Sequence, residues 1–341
     1  MIHLQENIDL TLLNTFGLQC TARYFVSIQK AEQLKALLEL DFLQKETKLV
    51  LGGGSNLLFT KNIFDGLVIK NEIKGIEILK ENDDHCWLKV GAGEGWHDFV
   101  LYCVKQQLGG VENLSLIPGS VGAAPMQNIG AYGAEVKDTI ESVTAFEFEK
   151  GTFRDFPNQE CAFGYRESYF KNEGKNRYFI THVCFKLSKR NHIIKTEYGA
   201  IKEFLTKMNI NELSLKAVSD AVIAIRQSKL PDPAKIGNAG SFFKNPTITL
   251  EQYEILKQKH AAMPMFAVDA LHVKVPAAWL IEQSGWKGKT FDKVGVHTQQ
   301  ALVLVNYGHG KGKDILELAT KIQANVESNF GIKLNMEVNI V

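Results

Sequence analysis

The sequence has little that would tie it to a disulfide frame, a metal, a membrane or a nucleic acid. Its 341 residues include only five cysteines, scattered at Cys20, Cys86, Cys103, Cys161 and Cys184, with no C-x-x-C pair. That excludes a thiolate zinc frame and favours reduced, packed thiols, as in a cytoplasmic protein. None of the nine histidines has ligand spacing such as H-E-x-x-H, so no catalytic metal is expected. Neither sign of charge dominates: 39 Lys and Arg stand against 38 Asp and Glu, for a net charge of +1. No global field then favours nucleic acid or anionic lipid as a partner. There is no long, purely apolar run, and Met1-Ile2-His3-Leu4-Gln5-Glu6 lacks the basic start and apolar core of a secretion signal. What is present is ordinary for a packed soluble protein, with 45% hydrophobic and 23% charged residues. The length predicts two or three domains.

Helical and strand signals interleave. Leu34, Leu37 and Leu38 mark a short helix within 31–40, and Trp96, Phe99, Val100, Cys103, Val104 and Gln107 mark a second. Leu215, Val218, Val222 and Ile225 define a third, and Ile315, Leu318, Ala319, Ile322 and Val326 a long one near the end. Strands are predicted at 48–51, 67–70, 87–90 and 144–148, with the clearest alternation at Phe179, Thr181, Val183, Phe185 and Leu187. This mixed order without a repeating βα unit predicts an α+β fold and not a doubly wound sheet. Prolines are few, yet Pro231, Pro233 and Pro246 cluster beside Gly237 and Gly240, just after the helix expected to end near Arg226. A domain boundary is placed there.

Two loops carry chemistry. A strand runs into Gly52-Gly53-Gly54-Ser55-Asn56, where three glycines allow backbone N–H groups to approach an anion. No helix follows, which excludes a Rossmann turn, and Gly285-Trp286-Lys287-Gly288-Lys289-Thr290 is too short between its glycines for a Walker loop. Taken alone, 52–56 reads equally well as a sharp turn between strands. The second loop, 113–134, has no charged residue and fits neither a helical nor a strand period. Its apolar character predicts burial, and buried irregular backbone needs hydrogen-bond partners. A flavin dinucleotide would provide them; an Ω-loop packed on itself is the alternative.

These residues carry a resemblance. Asn14-Thr15-Phe16, the 52–56 turn and the 117–133 loop resemble the UDP-N-acetylenolpyruvoylglucosamine reductase family. So do Cys161-Ala162-Phe163-Gly164-Tyr165-Arg166-Glu167-Ser168, Gly237-Asn238-Ala239-Gly240-Ser241-Phe242-Phe243-Lys244-Asn245-Pro246, and 276–288. The blocks keep the family's order from Asn14 to Glu337. The resemblance implies a flavoenzyme that reduces UDP-N-acetylglucosamine enolpyruvate to UDP-N-acetylmuramate, with non-covalent FAD and with NADPH as reductant. It implies a flavin domain of the vanillyl-alcohol oxidase type in two α/β lobes, 1–71 (with 332–341) and 72–225. A separate α+β substrate-binding domain at 226–331 completes it, and a monomer is expected.

The resemblance also implies roles. Ser241 would donate the proton, Arg166 would bind the substrate carboxylate, and Glu337 would position and polarise it. By periodicity alone Glu337 would join Asn335 and Asn339 on the polar face of a last strand, and Ser241 would be a turn residue. Tyr165, Tyr198, Lys229, Asn245 and Gln300 match substrate-binding positions. Gly52, Gly53, Gly54, Ser55 and Asn56 match cofactor positions, as do Pro118, Gly119, Ser120, Gly122, Ala123, Gln127, Asn128, Gly130, Ala131, Tyr132 and Gly133. The rival readings are a flavin oxidase on the same scaffold and a non-enzymatic UDP-sugar-binding module.

Overall fold

The alternation at 179–187 becomes the strand Tyr178–Ser188 in a computed structural model that describes residues 2–40, 46–197, 199–210 and 212–341. The chain divides into two compact units: 1–8, 22–54 and 65–228 form the first, and 9–21, 55–64 and 229–341 the second.

Among its described residues the first unit holds two main sheets and a two-stranded hairpin. In the larger, all neighbours are antiparallel, in the order Thr152–Pro157, Ile140–Glu147, Tyr178–Ser188, His85–Gly91, Ile76–Glu81. The helix Trp96–Lys105 lays its predicted stripe of Trp96, Phe99, Val100, Cys103 and Val104 into the same core as Leu88, Val183 and Phe185. Phe99 and Phe185 meet at 4.6 Å between ring centroids. Burying such side chains contributes about 1.5–3 kcal/mol each, which is what holds a ten-residue helix that would not persist alone. The smaller sheet has the order Gln5–Asp9, Thr21–Ile28, Ile63–Asn71, Lys48–Leu51, and its last pair is parallel. The strand expected at 67–70 begins earlier, at Ile63, and takes in Asp65 and Gly66.

In the second unit the sheet order is Gly237–Ser241, Val303–Asn306, Val294–Val296, Thr290–Phe291. The long helix Gly312–Phe330 buries Ile315, Leu318, Ala319, Ile322 and Val326 in the unit's core. Gly331, at φ +64°, ends it. Three helices escape the sequence reading: Gly199–Lys207, Leu250–Lys259 and Ala277–Gln283. Leu250–Lys259 buries only Tyr253 and Leu256, and Ala277–Gln283 has seven residues, so neither offers a stripe long enough to detect. The third predicted helix runs on to Lys229, three residues past the expected end. The breaker-rich stretch after it contains a strand, Gly237–Ser241, and is not all loop.

Candidate functional site

The Lys48–Leu51 strand delivers the glycine turn, and the turn packs on the neutral loop. A Cβ built on Gly53 would lie 2.6 Å from Gly119 Cα, and one on Gly52 would lie 2.5 Å from Ser120 Oγ. Only glycine permits this approach. The residues at the contact offer backbone amides and a small hydroxyl, a donor set suited to a dinucleotide's diphosphate. The glycines could thus hold a diphosphate where side chains are shut out.

The neutral loop is more structured than its sequence indicates. It breaks into short 3-10 turns at Glu112–Leu114, Val121–Ala123 and Pro125–Gln127, then a hairpin of Gly130–Ala131 with Ala134–Glu135. Tyr132 and Gly133 both have positive φ at the hairpin tip, as a tight two-residue connection requires. Many of its backbone groups are met by protein: Val121 N–H donates to the Glu94 carbonyl, Gly122 N–H to Ala92, and Ser168 Oγ to the Met126 carbonyl at 2.6 Å. Asn128 is fully buried, donates to the Gly164 carbonyl and accepts from Lys137 N–H. The buried backbone therefore needs a ligand less than the sequence alone suggests. Pro118 and Gly133 are exposed, while Gly119, Ala123, Gln127, Gly130, Ala131 and Tyr132 are half-buried.

Arg166 reaches this loop from a tight turn. Gly164 N–H donates to the Glu167 carbonyl at 3.0 Å, and Glu167 N–H returns the bond at 3.3 Å, leaving Tyr165 and Arg166 at the tip. Arg166 has φ +57°, a conformation costing a non-glycine residue about 1 kcal/mol. Its guanidinium donates to the Gly130 carbonyl at 2.7 Å and stands 5.3 Å from the Tyr165 ring centre. Three predicted positions, Arg166, Tyr165 and Gly130, are thus together.

Ser241 and Glu337 are brought near each other in the second unit, through the residue that follows the serine. Ser241 is the exposed last residue of its strand, paired with Val303 across a register slip that begins after Asn238. Buried Asn238 fixes that slip: it donates to the Ile236 carbonyl at 2.8 Å and accepts from Gly240 N–H at 2.9 Å. Directly after Ser241 the chain changes partner. Lys244 N–H donates to the Asn335 carbonyl, and Glu337 N–H donates to the Phe242 carbonyl at 2.8 Å. The predicted last strand is therefore short, Asn339–Ile340 alone, running parallel to Leu57–Leu58. Glu337 is half-buried, not on an exposed strand face with Asn335 and Asn339.

The other predicted binders are spread through the second unit. Asn245 accepts from Ala277 N–H at 2.9 Å, which caps the helix Ala277–Gln283. Gln300 accepts from Leu302 N–H at 3.3 Å, beside the start of the Val303–Asn306 strand. Lys229 is the exposed final residue of its helix. Asn56 donates to the Glu337 carbonyl at 3.2 Å, and Ser55 precedes it half-buried. Tyr198 lies outside the described residues.

Two cations beside the loops were not singled out in the sequence. Arg226 donates to the Leu116 carbonyl at 3.2 Å and bonds the Tyr132 hydroxyl, and burial pulls its pKa down. The ammonium of Lys70 donates to the Gly52 carbonyl. The only sequence signals were a charge following Val222 and Ile225 in the first case and one ending Leu67-Val68-Ile69 in the second. Among the described residues no group of three or more His, Cys, Asp or Glu is placed to hold a metal ion. No helix among them is long and apolar enough to cross a membrane.

Comparison with known proteins covers both units. Residues 22–156 match a family described as FAD binding domain, and 232–341 match the UDP-N-acetylenolpyruvoylglucosamine reductase C-terminal domain. Over 340 residues the chain is 52% identical to UDP-N-acetylenolpyruvoylglucosamine reductase of Flavobacterium johnsoniae, covering 100% of both. The reductase of Amoebophilus asiaticus is 53% identical over 338 residues, 99% of each chain. A crystal structure of UDP-N-acetylenolpyruvylglucosamine reductase from Thermus caldophilus superposes with a TM-score of 0.69 at 24% identity, covering 100% of this chain and 98% of that one. A solvent-stable cholesterol oxidase gives a TM-score of 0.51 at 10% identity, over 98% of this chain and 87% of its own. At these identities the two structures speak for the fold.

Proposed function

The chain belongs to the UDP-N-acetylenolpyruvoylglucosamine reductase family, and on that premise we propose how its own residues carry the reaction. It is an α+β, FAD-dependent oxidoreductase with a flavin domain of the vanillyl-alcohol oxidase type. It reduces the enolpyruvyl group of UDP-N-acetylglucosamine enolpyruvate to UDP-N-acetylmuramate, a step of peptidoglycan precursor synthesis, with NADPH as reductant. Bound FAD supplies hydride transfer from NADPH to the methylene carbon of that group.

The addition leaves negative charge on the neighbouring carbon and its carboxylate, and this charge is what the protein must manage. Arg166 meets it with a planar guanidinium able to take a carboxylate at two points. Its anchoring on Gly130 supports this role, because the side chain is already extended and oriented before substrate arrives. Ser241 donates a proton to the carbon. A serine hydroxyl is a weak acid, adequate only toward so basic an acceptor. Glu337 positions and polarises the carboxyl group. Tyr165, Tyr198, Lys229, Asn245 and Gln300 bind the rest of the substrate, with the Lys229 ammonium meeting the diphosphate as a point charge. Residues 226–331 form the substrate-binding part. The glycine turn and the neutral loop hold FAD non-covalently, since neither 52–56 nor 118–133 contains His or Cys. The enzyme works as a cytoplasmic monomer.

The observation that best supports this reading is the bond from Glu337 N–H to the Phe242 carbonyl, which sets the Glu337 backbone beside the residue that follows the exposed serine. Ser241→Ala tests it. NADPH should still bleach the flavin of the variant, while formation of UDP-N-acetylmuramate falls by about 10²–10⁴. Product formed at the wild-type rate would remove Ser241 from the mechanism.

A further inference from the structure

One half-buried lysine of the first unit has no role in the chemistry above. Lys70 is the register partner of Leu51 in the parallel pair of Lys48–Leu51 with Ile63–Asn71, so it stands beside the last residue before the glycine turn. Its ammonium donates to the Gly52 carbonyl. Burial pushes the Lys70 pKa down, the Lys74 charge adds to that, and the Glu72 carboxylate opposes it. Glu72 is itself engaged, accepting from the Ser27 hydroxyl. Among the described residues this cation is held at a desolvation cost on a carbonyl, with no carboxylate in ion-pair contact.

The geometry gives that cation a direction. The Gly52 carbonyl and the Gly53 N–H belong to one peptide group, and the described chain has no cis peptide bond. In a trans peptide the two groups point opposite ways. With Lys70 on the carbonyl, the Gly53 N–H faces away from it, and Gly53 is exposed and packed on Gly119. An ammonium on the oxygen polarises the peptide and makes its N–H a stronger donor.

We propose that Lys70 is a positioning residue of the FAD site: through the Gly52–Gly53 peptide it lends positive charge to the amide that meets the cofactor's diphosphate. This rests on the reading of 52–54 as a cofactor turn. FAD bound by the wild-type protein tests that reading, and the Lys70 variants test the inference.

The experiment follows release of FAD from the holoenzyme by the rise in flavin fluorescence, from about 50 to about 500 mM NaCl. Lys70→Met should raise the FAD dissociation constant about tenfold or more at low salt, the scale of one charge-assisted hydrogen bond. Its affinity should also depend less on salt than the wild type's. Lys70→Arg should restore most of the affinity and the salt slope. Lys70→Gln keeps a donor without the charge, should fall between, and covers the case in which the methionine variant fails to fold. Dissociation constants within about twofold of wild type for both neutral variants at every salt would overturn the proposal. So would weakening by one constant factor at all salts, because the lysine would then only prop up the turn.

Discussion

A single methyl group at Gly53 should loosen the cofactor's hold. Its Cβ would lie 2.6 Å from Gly119 Cα and 3.0 Å from Gly119 C, where ordinary contact begins near 3.4 Å. The two loops must part by about 1 Å to admit it. Both neighbours are main-chain atoms, and the Gly119 carbonyl is tied to Trp96 N–H at 3.0 Å, so no flexible side chain can yield. Gly53 is not among the positive-φ residues, so the methyl group brings no backbone strain of its own. Overpacking of this kind costs about 1–3 kcal/mol, or about 5- to 150-fold in an equilibrium constant. Gly53→Ala should therefore weaken FAD binding by a factor in that range, measured as the dissociation constant from flavin fluorescence. Gly52→Ala gives an internal check. Its Cβ would meet Ser120 Oγ at 2.5 Å but Ser120 Cβ and Ala123 Cβ only at 3.7 Å. Ser120→Ala removes that clash along with the hydroxyl, so the Gly52→Ala/Ser120→Ala double variant should bind FAD no more weakly than Ser120→Ala alone. Gly17→Ala is the control: with φ +64° and nothing within 4 Å, it should cost stability through strain alone and leave FAD affinity unchanged. Tight FAD binding by Gly53→Ala, or weaker binding by the Gly52→Ala/Ser120→Ala double variant than by Ser120→Ala alone, would refute the claim that these glycines exist for the loop contact.

Two further outcomes concern buried titratable groups. His97 Nδ1 accepts from Leu116 N–H at 2.9 Å, and burial holds its pKa below the ordinary 6.5. As pH falls from 6.5 toward that lower value, the unfolded chain gains a proton the folded one refuses, so stability drops, whereas above 6.5 the contribution is constant. His182 and His297 shift the same way, so the readout is the change His97→Gln makes to the slope of urea stability against pH; an unchanged slope would count against the assignment. Burial also raises the thiols, Cys161 to about 12 and Cys20 and Cys184 to about 11, with Cys103 well above its usual value. Iodoacetamide at mild pH should leave the buried Cys161, Cys20 and Cys103 unmodified by mass until the protein is denatured, and fast labelling of any of these three in the folded protein would show its burial to be wrong.

Long periodic elements were legible because one buried face repeats along them. The five apolar positions read for the last helix are all buried, and the alternation at 179–187 is a central strand. The glycine turn was legible as a turn, but its contact with Gly119 was not, because no local pattern records which loop a glycine faces. The neutral loop was legible as buried and ligand-like in composition. Its own hydrogen bonding was hidden, since Asn128 bonds backbone at Gly164 and Lys137, positions remote from it in sequence. Arg166 was legible only through the resemblance, because nothing in Tyr165-Arg166-Glu167 discloses a left-handed tip or a bond to Gly130.

Glu337 shows why periodicity fails where a chain changes partners. Alternation over 334–340 assumes one ladder, and on one ladder Glu337 must share a face with Asn335 and Asn339. The segment instead serves two. Phe243 and Met336 form an antiparallel bridge, and Asn339–Ile340 then joins Leu57–Leu58 in parallel. Leu334 and Val338 stay buried, so the apolar half of the pattern survives. The polar half splits: Asn335 and Asn339 are exposed, whereas Glu337 is half-buried at the switch. A partner change needs no special residue on this segment, because its cause lies in 242–244, where Phe242 and Phe243 are buried edge to face with ring centroids 5.3 Å apart. Those two aromatics anchor the short ladder in which Glu337 N–H bonds the Phe242 carbonyl, one residue after Ser241. The block from Gly237 to Pro246 thus specifies the surroundings of Glu337 as much as those of the serine.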